Sequence, residues 1–306
     1  MSGYWSGILS ILAINIIIAY GIYMSVATGQ LNLGGAGFQA VGAYTAAYLS
    51  ESYGLPVYLT IALSAVSAGA IGAVMAFPIL RTRGVYLVLA TFAFAEVVAG
   101  TILNSETLGG PMGMSVPDFT DWEVPVLVAI AVAGLVFYLM STRFGLAMRA
   151  VHDDETVSDL MGLSIRATQV TAFSIGAALA GLAGGLYAHS FSFVEIQVFN
   201  ALLSIYVLLY VLLGGTQTPW GPILGAAFFT LLPEALRAIL PGTMEVLAHL
   251  FGTSGEISKP DESWRFVILG AVTIIMMAVR PEGMITRTMI EKLHLRRSRQ
   301  KAEHSA

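Results

Sequence analysis

The charged side chains of this chain are concentrated in one stretch that suits helix capping and contact with a protein partner. Residues 143–169 carry three arginines and four carboxylates, namely Arg143, Arg149, Arg166, Asp153, Asp154, Glu155 and Asp159. The whole chain is only 11% charged and 56% apolar. A polar segment in so apolar a chain must lie where water or another protein can satisfy its charges.

The same stretch predicts a short helix with a signal at each end. Asp153 or Asp154 suits the N-cap, and Glu155 in the first turn lies at the positive end of the helix dipole. Gly162 suits the C′ position. One stripe of this helix is apolar and consists of Val157, Leu160 and Met161. Such a helix can enter a groove of a partner; the simpler alternative is a solvated connection between two spans.

A second chemically notable residue is Glu96, which lies inside the apolar segment "ATFAFAEVVAG". A carboxylate at that depth in a membrane is costly unless it faces water or the interior of a helix bundle. Glu96 therefore either lines a translocation path or is a protonated, hydrogen-bonded tie between helices. Both interpretations stay open at this point.

Two amides lie at the start of another apolar segment. Gln30 and Asn32 precede the glycines of "LGGAGF". Glycines allow backbones to approach closely or a helix to unwind beside a cavity. The segment is a candidate for gating, although close packing through small residues is the simpler explanation.

Nine apolar segments position these residues. A spanning helix needs about 20 apolar residues, and the mean hydropathy of the chain is +0.77. The approximate spans are 8–27, 31–50, 56–80, 85–103, 124–142, 168–190, 200–213, 221–240 and 264–280. Because the second is rich in glycine and the seventh is short, we expect eight to ten spans. The fold class is all-α, a polytopic helical bundle in a membrane.

The basic residues orient this bundle. With nine spans, three groups fall on one side, which the positive-inside rule assigns to the cytoplasm. The groups are Arg81 and Arg83; Arg143, Arg149 and Arg166; and the residues from Arg280 onwards. We therefore expect an outside N-terminus and a cytoplasmic C-terminus. Residues 1–286 would form the membrane domain, with a cytoplasmic loop at 143–167 and a basic tail at 287–306.

Several kinds of function lack a signal in this sequence. The only lysines are Lys259, Lys292 and Lys301, and none belongs to a Gly-x4-Gly-Lys-Ser/Thr phosphate loop. The histidines show no metal-ligand spacing, there is no cysteine, and no Ser-His-Asp or HExxH pattern occurs. We expect neither an enzyme nor a metal site, and no nucleic-acid partner.

Six segments in order resemble one transporter family. They are "TGQLNLGGAGFQAVGAYTAAYL", "LRTRGVYLVLATFAFAEVV", "LGGPMGM", "FSIGAALAGLAGGLYA", "LLGGTQTPWGPILGAAF" and "VRPEGMI". Together with the loop "GLAMRAVHDDETVSDLMGLSI" they resemble the LivM-type branched-chain amino acid permeases of ABC importers. In that family a cytoplasmic loop docks on the ATPase.

The resemblance implies a function, partners and site residues. The chain would be the permease subunit of an importer for branched-chain or related amino acids in the plasma (inner) membrane of a prokaryote. Its partners would be a second homologous permease, two cytoplasmic ATPases that bind the ATP, and an extracytoplasmic substrate-binding protein. No cofactor is expected in this chain. The ATPase-coupling residues would be Arg149, Asp153, Asp154, Glu155, Ser158, Asp159 and Gly162; the path would include Glu96, Thr91, Gln30 and Asn32.

Three alternatives remain beside this hypothesis. Related permeases carry urea or short amides. A stand-alone secondary transporter would use Glu96 to couple a proton. A membrane protein that only recruits a cytosolic partner would use the 143–167 loop for assembly.

Overall fold

The computed structural model describes residues 3–251, 263–279 and 283–284. The helices are α1 (Gly3–Val26), α2 (Gly35–Tyr53), α3 (Val57–Ile79), α4 (Val85–Leu103), α5 (Glu123–Ser141), α6 (Arg143–Asp153), α7 (Glu155–Leu160), α8 (Ile165–Phe191), α9 (Ala201–Gly214), α10 (Trp220–Phe251) and α11 (Ser263–Val279). The expected basic tail at 287–306 lies outside the described residues.

Five of the described helices are long and apolar enough to cross a membrane: α1, α3, α4, α5 and α8. α9 is apolar but has only 14 residues. The only strands within the described ranges are β1 (Met114–Ser115) and β2 (Phe193–Val194), which pair antiparallel. The chain is therefore a polytopic helical membrane protein, as its composition predicts.

Successive long helices run in opposite directions between two ends of the bundle. We call the end that carries Arg81, Arg83, Arg143, Arg149 and Arg166 the basic end, and the end that carries Glu106, Asp118, Asp121 and Glu123 the acidic end. Side-chain hydrogen bonds connect elements of the fold at each end. At the acidic end Ser50 donates to Asp118, and at the basic end the Tyr20 hydroxyl donates to the Pro219 carbonyl.

The core lies around α1 and α8. α8 packs against α1, α2 and α3, and its buried face consists largely of glycine and alanine. Small residues allow helix backbones to approach closely. In a membrane this close packing drives helix association, because lipid is as apolar as the interior of the bundle. The alanine and glycine repeat of "GAALAGLAGG" thus has a packing role.

Besides α10, which continues to Phe251 beyond the predicted end at residue 240, two features of the fold differ from the pattern predicted from hydropathy. α2 begins at Gly35 rather than near residue 31, because residues 30–34 are non-helical. The Asn32 side chain accepts a hydrogen bond from the Gly34 N–H at 2.7 Å and so competes with a helical turn there. The second difference is α6, a helix within the 143–167 loop that was not predicted from the sequence.

Candidate functional site

The 143–167 loop folds as two helices that lie on the basic end of the bundle. In α6, Met148 and Val151 are buried, so this helix packs on the bundle. Arg149 donates from Nη2 to the Met140 carbonyl at 3.1 Å. That carbonyl belongs to the last turn of α5, where carbonyls lack helical partners and arginine interacts favourably with the helix dipole. Arg149 therefore anchors the loop.

α7 is the short helix that the sequence predicts between Asp154 and Gly162. Asp154 is its N-cap and accepts from the backbone N–H groups of Thr156 at 2.8 Å and Val157 at 3.0 Å. Gly162 follows the helix at φ +80°, the left-handed conformation that glycine favours. Of the two candidate caps, Asp154 is thus the one used, while Asp153 is exposed beside His152.

The two faces of α7 differ in chemistry. Ser158 is buried against the bundle. The opposite stripe points away from the protein, with Val157 52%, Leu160 82% and Met161 79% exposed. Three neighbouring apolar side chains at the polar end of a membrane protein form a patch of the type that binds a partner. We call Val157, Leu160 and Met161 the docking stripe.

Glu155 connects α7 to two other elements. One carboxylate oxygen lies 3.2 Å from Nη1 of Arg83, in the turn between α3 and α4. The other accepts from Nε2 of Gln169 in α8 at 3.1 Å. Glu155 therefore joins α7 to the turn before α4 and to α8. In the sequence, Arg83 indicates only topology, because no local pattern predicts a contact between such distant positions.

A cleft of about 490 Å3 opens beside this connection. Its walls include Arg83, Glu155, Asp159, Gln169 and Gln30. Gln30 is buried, and its Oε1 has no hydrogen-bond partner in the described part of the chain. The structure thus brings one predicted path residue next to the predicted coupling loop.

Asn32 and Thr91 meet at the non-helical segment before α2. The Leu33 N–H donates to Oγ1 of Thr91 at 3.0 Å, and Nδ2 of Asn32 donates to Oγ of Ser25 at 3.3 Å. Both side chains are buried. In this conformation they hold α1, α2 and α4 together, so they are positioning residues for the segment that contains Gln30.

Glu96 lies apart from these residues. Its side chain is on the exposed side of α4, and within residues 3–251, 263–279 and 283–284 it has no hydrogen bond or ion pair. A tie to a neighbouring helix of the same described bundle is not observed.

The acidic end contains a buried polar contact that no sequence pattern indicates. His189 in α8 is fully buried, with Nε2 2.7 Å from Oγ1 of Thr60 and Nδ1 3.0 Å from the carbonyl oxygen of Asp118. Since a carbonyl only accepts, Nδ1 carries the proton and donates to it. The contact attaches the 104–122 segment to the bundle. Histidines scattered through the sequence carried no signal for it.

Comparison with known proteins identifies the family. The model of the family described as "Branched-chain amino acid transport system / permease component" matches residues 4–277. The chain belongs to this family. It is 30% identical to the high-affinity branched-chain amino acid transport system permease protein LivM of Escherichia coli, over 92% of this chain and 70% of that protein. It is also 30% identical to LivM of Salmonella typhimurium, over 95% of this chain and 72% of that protein.

More distant permeases also match. The guanosine ABC transporter permease protein NupP of Bacillus subtilis is 26% identical over 52% of each chain. No solved structure matches the permease. The relatives are transport permeases rather than enzymes, and the chain is the membrane-spanning permease component of an ABC transporter.

Proposed function

We propose that the permease imports branched-chain or related amino acids by using ATP that separate ATPase subunits hydrolyse. The observation that carries this proposal is the docking stripe, which is exposed on a capped helix and anchored through Glu155 to the bundle. Amino acids are favoured as solutes by the LivM relatives, which match more than nine-tenths of the chain.

The partners follow from this function. Two ATPases, which bind the ATP, would meet the basic end, and an extracytoplasmic binding protein would meet the acidic end. A second homologous permease would complete the path. This arrangement has the N-terminus outside, the C-terminus in the cytoplasm, and the complex in the inner membrane of a prokaryote. Residues 1–286 form the permease domain, and no cofactor is needed in this chain.

The contacts at the basic end define a route for coupling. An ATPase that moves α7 displaces Glu155, and with it Arg83 and the start of α4. α4 carries Thr91, which holds the segment before α2. Rearrangement of that segment would open or close the passage at Gln30, while Glu96 marks the path deeper in the membrane. The 143–167 loop would thus transmit the movement of an ATPase to two helices of the bundle.

Charging the docking stripe tests this proposal. In the variant Leu160→Glu with Met161→Glu, we expect the co-purified ATPase to fall about tenfold or more, because burying an unpaired carboxylate in an apolar groove costs several kcal/mol. The permease should still fold, since both side chains are exposed. The measurement is the ATPase-to-permease ratio after affinity purification of the complex.

The matched control keeps the stripe apolar. Leu160→Met with Met161→Leu exchanges the two side chains, and the ATPase should be retained. ATPase binding that survives the two carboxylates would contradict docking through α7. Solute transport in proteoliposomes by this chain alone, without ATP, would support a secondary transporter instead.

The Arg83–Glu155 pair should matter for coupling more than for folding. Arg83→Glu places two carboxylates together, so we expect several-fold less transport per ATP hydrolysed. The thermal stability should change little, because Arg83 is 84% exposed and exposed pairs contribute about 0–1 kcal/mol. Adding Glu155→Arg should restore part of the coupling, as Gln169 can accept from the new arginine through its amide oxygen. Failure of the double variant to improve on Arg83→Glu would refute the link.

A further inference from the structure

The cleft beside α7 has the size of a small-molecule site. Its volume of about 490 Å3 lies within the range of such sites, about 300–1,000 Å3. Its walls come from the segment after α1, the turn between α3 and α4 with the first turn of α4, the helix α7, and the start of α8. A molecule bound in this cleft would therefore contact the coupling loop and the bundle at the same time.

One wall of the cleft favours an anion. α8 begins there at Ile165, and no side chain caps its N-terminus. The free N–H groups of a helix N-terminus and the helix dipole attract a carboxylate or a phosphate. Arg166, the second residue of α8, is exposed and has no hydrogen bond or ion pair in the part of the chain that the structure describes. A cation so placed is unfavourable for the helix itself, and an anionic ligand would remove this cost.

Two other residues of the cleft favour a cation. The Asp159 carboxylate in α7 makes no hydrogen bond or ion pair within the described ranges. Gln30 is only 7% exposed, and its Oε1 is a buried acceptor without a partner among the described residues. An unsatisfied buried acceptor is costly, and an ammonium group brings three donors. An ammonium group can thus satisfy the carboxylate and the amide together.

The remaining walls decide between kinds of ligand. Leu80, Leu87 and Ile165 contribute aliphatic surface. Among the described residues that line the cleft none is aromatic, so a nucleobase has no ring on which to stack. The carboxylates of Glu155 and Asp159 repel a ligand with several phosphates. A small zwitterion with an aliphatic side chain fits all of these walls.

We propose that the cleft is a regulatory site that binds a free α-amino acid with an aliphatic side chain from the cytoplasm. The carboxylate binds at Arg166 and the N-terminus of α8, and the ammonium group binds at Asp159 and Gln30. This inference rests on the proposed function, which places the basic end in the cytoplasm. The site is then on the side of the membrane where the imported amino acid accumulates.

A bound amino acid would add a second connection between α7 and the bundle. It joins Asp159 in α7 to Arg166 in α8, beside the existing contacts of Glu155. Coupling requires an ATPase to move α7, and a ligand that binds one conformation more tightly shifts the population toward it. The amino acid therefore holds α7 on the bundle, and a high cytoplasmic concentration slows ATP hydrolysis and import.

Binding of radiolabelled L-leucine to the complete transporter tests this site. The permease and its co-purified partners are placed in nanodiscs of phosphatidylcholine and phosphatidylglycerol without the extracytoplasmic binding protein, and ATP hydrolysis is measured in the same samples. Two competitors each lack one charge: leucinamide has no carboxylate, and 4-methylpentanoate has no ammonium group. A parallel sample contains phosphatidylethanolamine, whose headgroup is a second source of an ammonium group beside an anion.

The variant Arg166→Gln removes the unpaired cation of the cleft, and Arg143→Gln is its matched control. Both arginines are exposed and lie at the start of a helix at the basic end. Arg143 does not line the cleft. The two variants therefore change the net charge of the loop equally, and only Arg166→Gln changes the site.

We expect leucine to bind and to slow ATP hydrolysis at least threefold at saturation. Each analogue should compete at least tenfold more weakly than leucine. Arg166→Gln should raise the Kd for leucine at least tenfold, while Arg143→Gln should bind leucine as the parent protein does.

Other results would overturn the regulatory site and leave the proposed function standing, provided that ATPase co-purifies and hydrolyses ATP. They are an absence of leucine binding and inhibition, or equal leucine binding by the two arginine variants. Inhibition that phosphatidylethanolamine causes and leucine does not would assign the cleft to a lipid headgroup instead. If no ATPase accompanies the chain, both proposals fail.

Discussion

Replacing Gly184 with leucine should leave little folded permease. A Cβ at this position would lie 2.0 Å from the Gln39 carbonyl oxygen and 2.7 Å from the Ala43 nitrogen, both backbone atoms of α2. Backbone cannot move aside as a flexible side chain does, so α2 and α8 would have to separate. We expect a loss of more than about 3 kcal/mol in stability.

The measurement is the yield of monodisperse protein in detergent together with its thermal transition. Gly134→Leu on α5 is the control, because nothing lies within 4 Å of a Cβ at that glycine. This variant should behave as the parent protein does. A Gly184→Leu protein with the yield and transition of the control would show that α2 and α8 are not in close contact.

A second large effect is expected from His189→Leu. Leucine is similar in size but leaves the Asp118 carbonyl without its donor, and Thr60 loses one of its two contacts. An unsatisfied buried polar group costs about 1–3 kcal/mol. We expect the free energy of unfolding to fall by about this amount. Proteolysis within the 104–122 segment should become faster, because His189 attaches that segment to α8.

The control for this variant is His152→Leu. His152 is partly exposed, with its side chain 39% accessible, beside Asp153, so its replacement should change stability by less than about 0.5 kcal/mol. Equal effects of the two histidine variants would mean that burial of His189 has no role in holding the segment. Loosening of the 104–122 segment should also reduce transport stimulated by the binding protein, because this segment is part of the acidic end.

The long helices were predictable because a membrane imposes length and polarity together. The apolar segment predicted at 85–103 is α4 with the same bounds, and the segment at 124–142 is displaced from α5 by one residue. The start of α2 was not predictable, because it depends on Asn32 bonding to the Gly34 N–H and on Thr91 in another helix. Hydropathy averages over such polar contacts.

For the candidate site, the local sequence signals gave correct predictions, whereas contacts between distant residues could not be predicted. The cap at Asp154 and the glycine at 162 were readable because capping acts over three or four residues. The coupling role of the loop and the path role of Glu96 stay predictions. Arg83 contacts Glu155 only after α3, α4 and α8 have packed. The same packing places Gln30 in the wall of the cleft beside this pair.

The sequence by itself determined the helical membrane class, several of the long helices, the family motifs and the capped helix α7, because each depends on composition or on neighbours within a few residues. Only the tertiary structure decided which side of α7 is exposed, that Asn32 and Thr91 are turned inward, and that Glu96 is left without a partner in its own described bundle. These features depend on how helices distant in sequence approach one another. That approach is set by close contacts of small residues, such as Gly42 of α2 against Gly181 of α8.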